Sequence, residues 1–156
     1  HSIGDYATDL VMDAFEATGE PSRHRIEHAM ILSDAQIERM ARLGFRCTFQ
    51  PEFIHALGHA YRRQLGPERA SKLKRARSVI DAGIPLSFSS DAPVVEGIPE
   101  TGLGTATQRP DGFDPAENVT LAEALRAYTL EGARVNDDDD QGGLEPGMWA
   151  DVHILA

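Results

Sequence analysis

Cysteine occurs once in the 156 residues, at Cys47. A lone thiol excludes an intramolecular disulfide and fits a reducing, cytoplasmic compartment. Apolar residues never run to the roughly 20 that a membrane-spanning helix needs, and no signal-peptide pattern is present. Neither a membrane span nor a secretory leader is therefore expected. Basic residues are the minority charge, 15 Lys and Arg against 25 Asp and Glu, for a formal net charge of −10. Nucleic-acid binding needs a clustered basic face, and this balance argues against it. Phosphate-binding glycine spacing is also missing, because Gly102 and Gly104 follow no strand. What is present is 41% hydrophobic residues, enough for one core in one domain of ordinary size.

The apolar pattern alternates between helical and strand periods. Tyr6, Leu10, Val11, Ala14 and Phe15 form a helical stripe over residues 5–18, closed by Gly19 and Pro21. Residues 25–29 read as a short strand. Ser33 and Gln36 have capping-box spacing ahead of Ile37, Met40, Ala41 and Leu43, and Gly44 ends that helix. Residues 45–49 form a second strand, stopped at Pro51. Residues 51–66 read as irregular, with room for a short helix. Residues 68–82 read as one basic helix, and residues 86–90 as a third strand running into Asp91. The Pro-, Gly- and Thr-rich stretch 92–119 reads as a long loop. Thr120 and Glu123 cap a helix expected to reach Val135, and 152–155 reads as a final strand. Strands separated by helices imply parallel pairing through right-handed crossovers, so the expected class is α/β. The acidic run from Asp137 to Asp140 reads as solvated surface.

In parallel α/β folds, reactive side chains gather where strands end and loops begin. That rule selects His28 and Asp91, and it adds His1, which stands before a short turn into the first helix. Two imidazoles and a carboxylate are a ligand set for a divalent ion such as zinc. Spacing alone leaves His28 equally a hydrogen-bonded core histidine, and Asp91 equally a turn cap. Gln50, at the end of the second strand, is placed to hydrogen-bond a substrate. His55 and His59 lie four apart and would share a helix face, where a surface role is favoured over metal binding. Cys47 reads as a structural thiol. Glu27 is expected to face the surrounding helices and to pair with an arginine. Asp5 reads as a helix cap.

Several segments together resemble the metal-dependent amidohydrolase superfamily, in the branch called amidohydrolase family 3. They are His1-Ser2-Ile3-Gly4-Asp5, Arg25-Ile26-Glu27-His28-Ala29, and Asp81-Ala82-Gly83-Ile84-Pro85 leading to Ser90-Asp91-Ala92-Pro93. Leu121-Ala122-Glu123-Ala124-Leu125 and Gly143-Leu144-Glu145-Pro146-Gly147 extend the likeness to the end of the chain. The resemblance implies a (β/α)8 barrel of TIM type beside a small β-sandwich. It implies that His1, His28 and Asp91 are metal ligands following the fifth, sixth and eighth strands, with Asp91 also the catalytic proton shuttle. The implied activity is hydrolysis of a non-peptide amide or other C–N bond in a small molecule by metal-activated water.

Such a barrel takes about 250 residues, and the family's paired His-x-His on the first strand has no counterpart here. The expectation is therefore the carboxy-terminal half of a barrel, strands five to eight, over residues 1–141. Residues 142–156 would begin the sandwich return strand. A half-barrel leaves open sheet edges, which predicts a homo-oligomer or pairing with the missing half, and little activity for the piece alone. The contrasting expectation is a non-catalytic α/β binding or assembly module that retains its metal residues as remnants.

Overall fold

A computed structural model describes residues 1–152 and residue 154. Three parallel strands lie side by side in chain order: β1 (Arg25–Glu27), β2 (Arg46–Phe49) and β3 (Leu86–Phe88). The register pairs Ile26 with Cys47 and Cys47 with Leu86, which puts these three on one face. They join Met12, Met40, Val79 and Ala124 from the helices in a single buried cluster. Because neighbours on a strand point opposite ways, Glu27, Thr48 and Ser87 share the other face, where the Thr48 and Ser87 hydroxyls are 2.8 Å apart. Glu27 thus faces away from the helical layer, contrary to expectation, although it does pair with an arginine, Arg25, at 2.6 Å. A parallel bridge from Ser2 to His28 extends the hydrogen bonding past the outer edge of β1.

The helices follow local signals where those are strong. α1 spans Asp5–Glu16 and α2 spans Asp34–Leu43. At α2 the Ser33 hydroxyl accepts from Gln36 N, the Gln36 side chain accepts from Ser33 N, and Gly44 closes the helix at φ 72°. The Thr120–Glu123 box opens α7 (Leu121–Tyr128) in the same way. α7 stops short of Val135, because Thr129 leaves helical geometry before α8 (Leu130–Arg134) begins.

Three other expectations are corrected. The stretch 51–66 is mostly one regular helix, α3 (Glu52–Leu65), whose Phe53, Ile54, Leu57, Tyr61 and Leu65 pack into a second cluster at helical spacing. Gly58 lets the Phe113 ring approach α3, since a Cβ there would sit 2.9 Å from it. The basic segment 68–82 is two helices, α4 (Pro67–Ser71) and α5 (Ala76–Asp81). It breaks where Leu73 and Lys74 turn inward, Lys74 adopting φ 50° and its N–H donating to Met30 O at 2.8 Å. The carbonyls of Leu73 and Lys74 accept from the Arg109 guanidinium, which satisfies both at the break. The stretch 92–119 contains α6 (Pro99–Thr107), entered by proline in its first turn.

Of the expected last strand, His153 and Leu155 lie outside the described residues, and Val152 and Ile154 belong to no regular element. Asp137, Asp139 and Asp140 are exposed, as expected of the acidic run. No described helix is long and apolar enough to cross a membrane.

Candidate active site

The site is built where β1, β2 and β3 end. His28 directly follows β1, Gln50 directly follows β2, and Ser89 and Asp91 follow β3. His28 and Asp91 both take left-handed backbone, φ 72° and 57°. Non-glycine residues rarely adopt this region, and where they do the surroundings hold them there. The strand-end residues singled out by the sequence are therefore conformationally constrained as well.

The His1 and His28 rings meet edge to face, with His28 Nε2 3.0 Å from His1 Nδ1. His28 is 5% exposed. Its other nitrogen, Nδ1, is 2.9 Å from Gln50 Oε1. Gln50 Oε1 also accepts from Lys74 Nζ at 2.9 Å, while Gln50 Nε2 donates to Ser89 Oγ at 3.0 Å. An amide oxygen can only accept, so His28 Nδ1 carries the proton, which in the neutral imidazole leaves Nε2 with a lone pair toward His1. This is how metal-ligating histidines are commonly held, with the far ring N–H engaged by a neighbouring acceptor.

Two nitrogens bound to one tetrahedral zinc at 2.0–2.1 Å would lie about 3.3 Å apart. The observed 3.0 Å between His1 and His28 is a hydrogen-bond contact about 0.3 Å shorter than that value, so a small opening of the pair would admit one ion. Asp91 does not complete the set: among the described residues no group of three His, Cys, Asp or Glu side chains is close enough to share an ion. Asp91 is half-buried, and its carboxylate acts on the site electrostatically, pulling the Lys74 ammonium toward its charged form.

Lys74 is the residue that sequence reasoning missed. It is 3% exposed and its Nζ lies over the rings of Phe53 and Phe49, 5.1 and 5.6 Å from their centres. Burial pushes its pKa down to about 7, against the opposing pull of nearby acidic groups including Asp91 and Glu27. In a run with Lys72, Arg75 and Arg77 it looks like solvent-facing charge, and no local pattern sets it apart. Gln50 is 1% exposed, and both ends of its amide are engaged inside the protein.

The remaining candidates are bystanders to this network. Cys47 is fully buried, and burial, reinforced by the Glu27 charge, drives its thiol well above the usual range, so it is inert as expected. His55 and His59 are exposed on α3. Asp5 is not the cap, a position Gly4 holds: its carboxylate accepts from the Tyr6 N–H at 2.9 Å and pairs with Arg69 at 2.7 Å. Beside the strand ends, an open groove of about 790 Å³ runs between Glu52 and His55 of α3 and the segment from Ala92 to Glu96.

A sequence model of the amidohydrolase family matches residues 1–156. The chain belongs to this family. It is 33% identical to N-substituted formamide deformylase of Arthrobacter pascens, the match covering 99% of the chain and 30% of that protein. A metal-dependent hydrolase of Pyrococcus furiosus, known from its crystal structure, superposes with a TM-score of 0.86 at 36% identity, over 96% of the chain and 31% of its own. Zinc-complexed atrazine chlorohydrolase of Arthrobacter aurescens shares the fold at 22% identity, with a TM-score of 0.63 over 83% of the chain and 27% of its own. The chain thus spans about 30% of the length of the relatives it matches. The α/β arrangement with a small parallel sheet corresponds to part of an amidohydrolase, as the segments around His1, His28 and Asp91 implied.

Proposed function

We propose that the protein carrying this chain is a metal-dependent hydrolase that cleaves a non-peptide amide or other C–N bond of a small molecule. The observation that carries the proposal is the facing pair His1 Nδ1 and His28 Nε2 at 3.0 Å, with His28 held in the ligating tautomer by Gln50. In this reading His1 and His28 hold a divalent cation, most simply zinc, and Asp91, which is not gathered with them in this structure, joins the set with further ligands from outside the chain once the ion is bound. A bound cation of this kind supplies Lewis acidity and lowers the pKa of water toward about 7. Asp91 then accepts the proton of the attacking water and delivers it to the leaving nitrogen, as general base and general acid in turn. Gln50 orients His28, a role its engaged amide favours over direct contact with substrate. The groove lined by Glu52, His55 and the segment from Ala92 to Glu96, which directly follows Asp91 in the chain, takes the substrate.

The chain is read as the strand-five-to-eight portion of a (β/α)8 barrel, with residues 142–156 leading toward the sandwich. The bridge at Ser2 continues the sheet beyond β1, and Ile3, Tyr6 and Leu10 are large apolar side chains left exposed at the start of the chain and on α1. Both features support docking against the remaining barrel strands or a second copy.

The test is elemental analysis of the full-length protein purified without chelator, alongside His28→Ala, with turnover assayed on N-substituted formamides. We expect near-stoichiometric zinc or a similar ion, lost in His28→Ala, and turnover abolished in Asp91→Asn with little change in folding. Equal metal in both proteins, or retained turnover in Asp91→Asn, would overturn the proposal, and absence of both metal and turnover in the wild type would favour a non-catalytic module.

A further inference from the structure

The shared acceptor at Gln50 has a consequence for the metal centre proposed above, on which this inference rests. A glutamine amide can sit either way round. With its oxygen toward His28 it accepts from Nδ1–H and leaves Nε2 free to ligate. With its NH2 group toward His28 it would instead require a lone pair at Nδ1, moving the proton to Nε2 and blocking the ligand. Ser89 Oγ, 3.0 Å from Gln50 Nε2, can donate or accept and so does not decide between the two, and the Thr48 carbonyl, an acceptor, favours the observed orientation only from 3.5 Å. Lys74 decides in its charged form, which Asp91 and Glu27 favour against burial: an ammonium has three donors and no acceptor, and Nζ is 2.9 Å from Gln50 Oε1.

We infer that Lys74 is a positioning residue of the metal centre, its buried ammonium fixing the Gln50 amide and, through it, the ligating tautomer of His28. The placement suits the role. Lys74 sits at a left-handed backbone position, anchored by its own N–H on Met30 O, with its carbonyl and that of Leu73 held by Arg109. Phe49 and Phe53 lie against its head group. A lysine serving only solubility would not be 3% exposed at the end of a broken helix.

The test compares the full-length wild-type protein, Lys74→Met, Gln50→Glu and the double variant. It measures zinc affinity by chelator competition and the visible spectrum of the cobalt-substituted protein. Lys74→Met keeps the apolar stem but loses the donors, and we expect zinc affinity to fall about 10- to 100-fold with an altered cobalt spectrum. A carboxylate at position 50 has acceptors only, so it needs no lysine to set its orientation. Gln50→Glu in the Lys74→Met background should therefore return zinc affinity to within about threefold of wild type. A purely structural lysine gives a different pattern: a lowered melting temperature, unchanged zinc affinity and no rescue. That result would overturn the inference. If Lys74→Met does not fold, the double variant is read against wild type directly, and a folded double variant with affinity still about tenfold weaker overturns it. If neither folds, Lys74→Gln, whose amide can accept as well as donate, takes their place, and wild-type zinc affinity in it overturns the inference. His28→Ala separates the two claims. Loss of zinc there with none in Lys74→Met refutes the positioning role alone, whereas unchanged zinc in His28→Ala refutes the metal centre itself.

Discussion

Two glycines on α6 should respond to the same substitution with opposite signs. A Cβ at Gly102 would lie 1.9 Å from the Tyr128 hydroxyl and 2.9 Å from the ring carbon bearing it, whereas a Cβ at Gly104 meets nothing within 4 Å. Alanine in a helix interior is favoured over glycine by roughly 0.5–1 kcal/mol when nothing intervenes. Gly104→Ala should therefore gain about that amount. Gly102→Ala gains the same helix term but must displace a largely buried tyrosine whose ring packs edge-to-face on Phe88 at 5.4 Å. Overpacking costs about 1–3 kcal/mol, and disturbing the aromatic pair adds roughly 0.5–1.5 kcal/mol. The net loss expected for Gly102→Ala is about 0.5–4 kcal/mol, centred on about 2, or several degrees in melting temperature for a chain of this size. Thermal unfolding of the two variants by circular dichroism measures the difference directly. If Gly102→Ala melts at or above Gly104→Ala, the packing of Tyr128 between α6 and β3 described here is wrong.

Two further outcomes follow from buried or charged groups. Phe45 is fully buried in the main cluster, so Phe45→Ala should lose about 3–5 kcal/mol in urea unfolding, and a loss below 1 kcal/mol would contradict that burial. The Glu123 carboxyl is held below its ordinary value first by the Thr120 backbone N–H and then by Arg77. Its stabilisation is present above its unfolded pKa and fades as pH falls through the lower folded value. Glu123→Gln should accordingly be less stable than wild type at neutral pH and converge with it in acid, which a pH series of melting temperatures would reveal. A gap that persists in acid would refute the linkage.

The parts of the fold that were legible in the sequence are those fixed by neighbours in the chain. The capping boxes at Ser33–Gln36 and Thr120–Glu123 couple residues three apart, and both form as read. The three strands emerged from short runs of strand formers bounded by Gly and Pro. α6 was not legible because its buried residues are Gly102, Thr105 and Ala106, small side chains that leave no apolar stripe. The break between α4 and α5 was hidden for a related reason: it is set by distant partners, Met30 and Arg109, not by a local breaker. At the site, His28 and Asp91 were visible as strand-end residues, and the same rule added His1 from its place ahead of the first turn. Gln50 was noticed for its position but assigned to the substrate, while its partners are His28, Lys74 and Ser89. Lys74 gave no signal, since burial of a lysine depends on acceptors and rings brought from other segments.

The claim on which the functional account rests is that His1 and His28 bind one ion together. Crystals of the full-length protein grown with zinc, with diffraction collected on either side of the zinc absorption edge, test it most directly. The account predicts one anomalous peak about 2.0–2.1 Å from both His28 Nε2 and His1 Nδ1. A peak bound elsewhere, or none at saturating zinc, would contradict it.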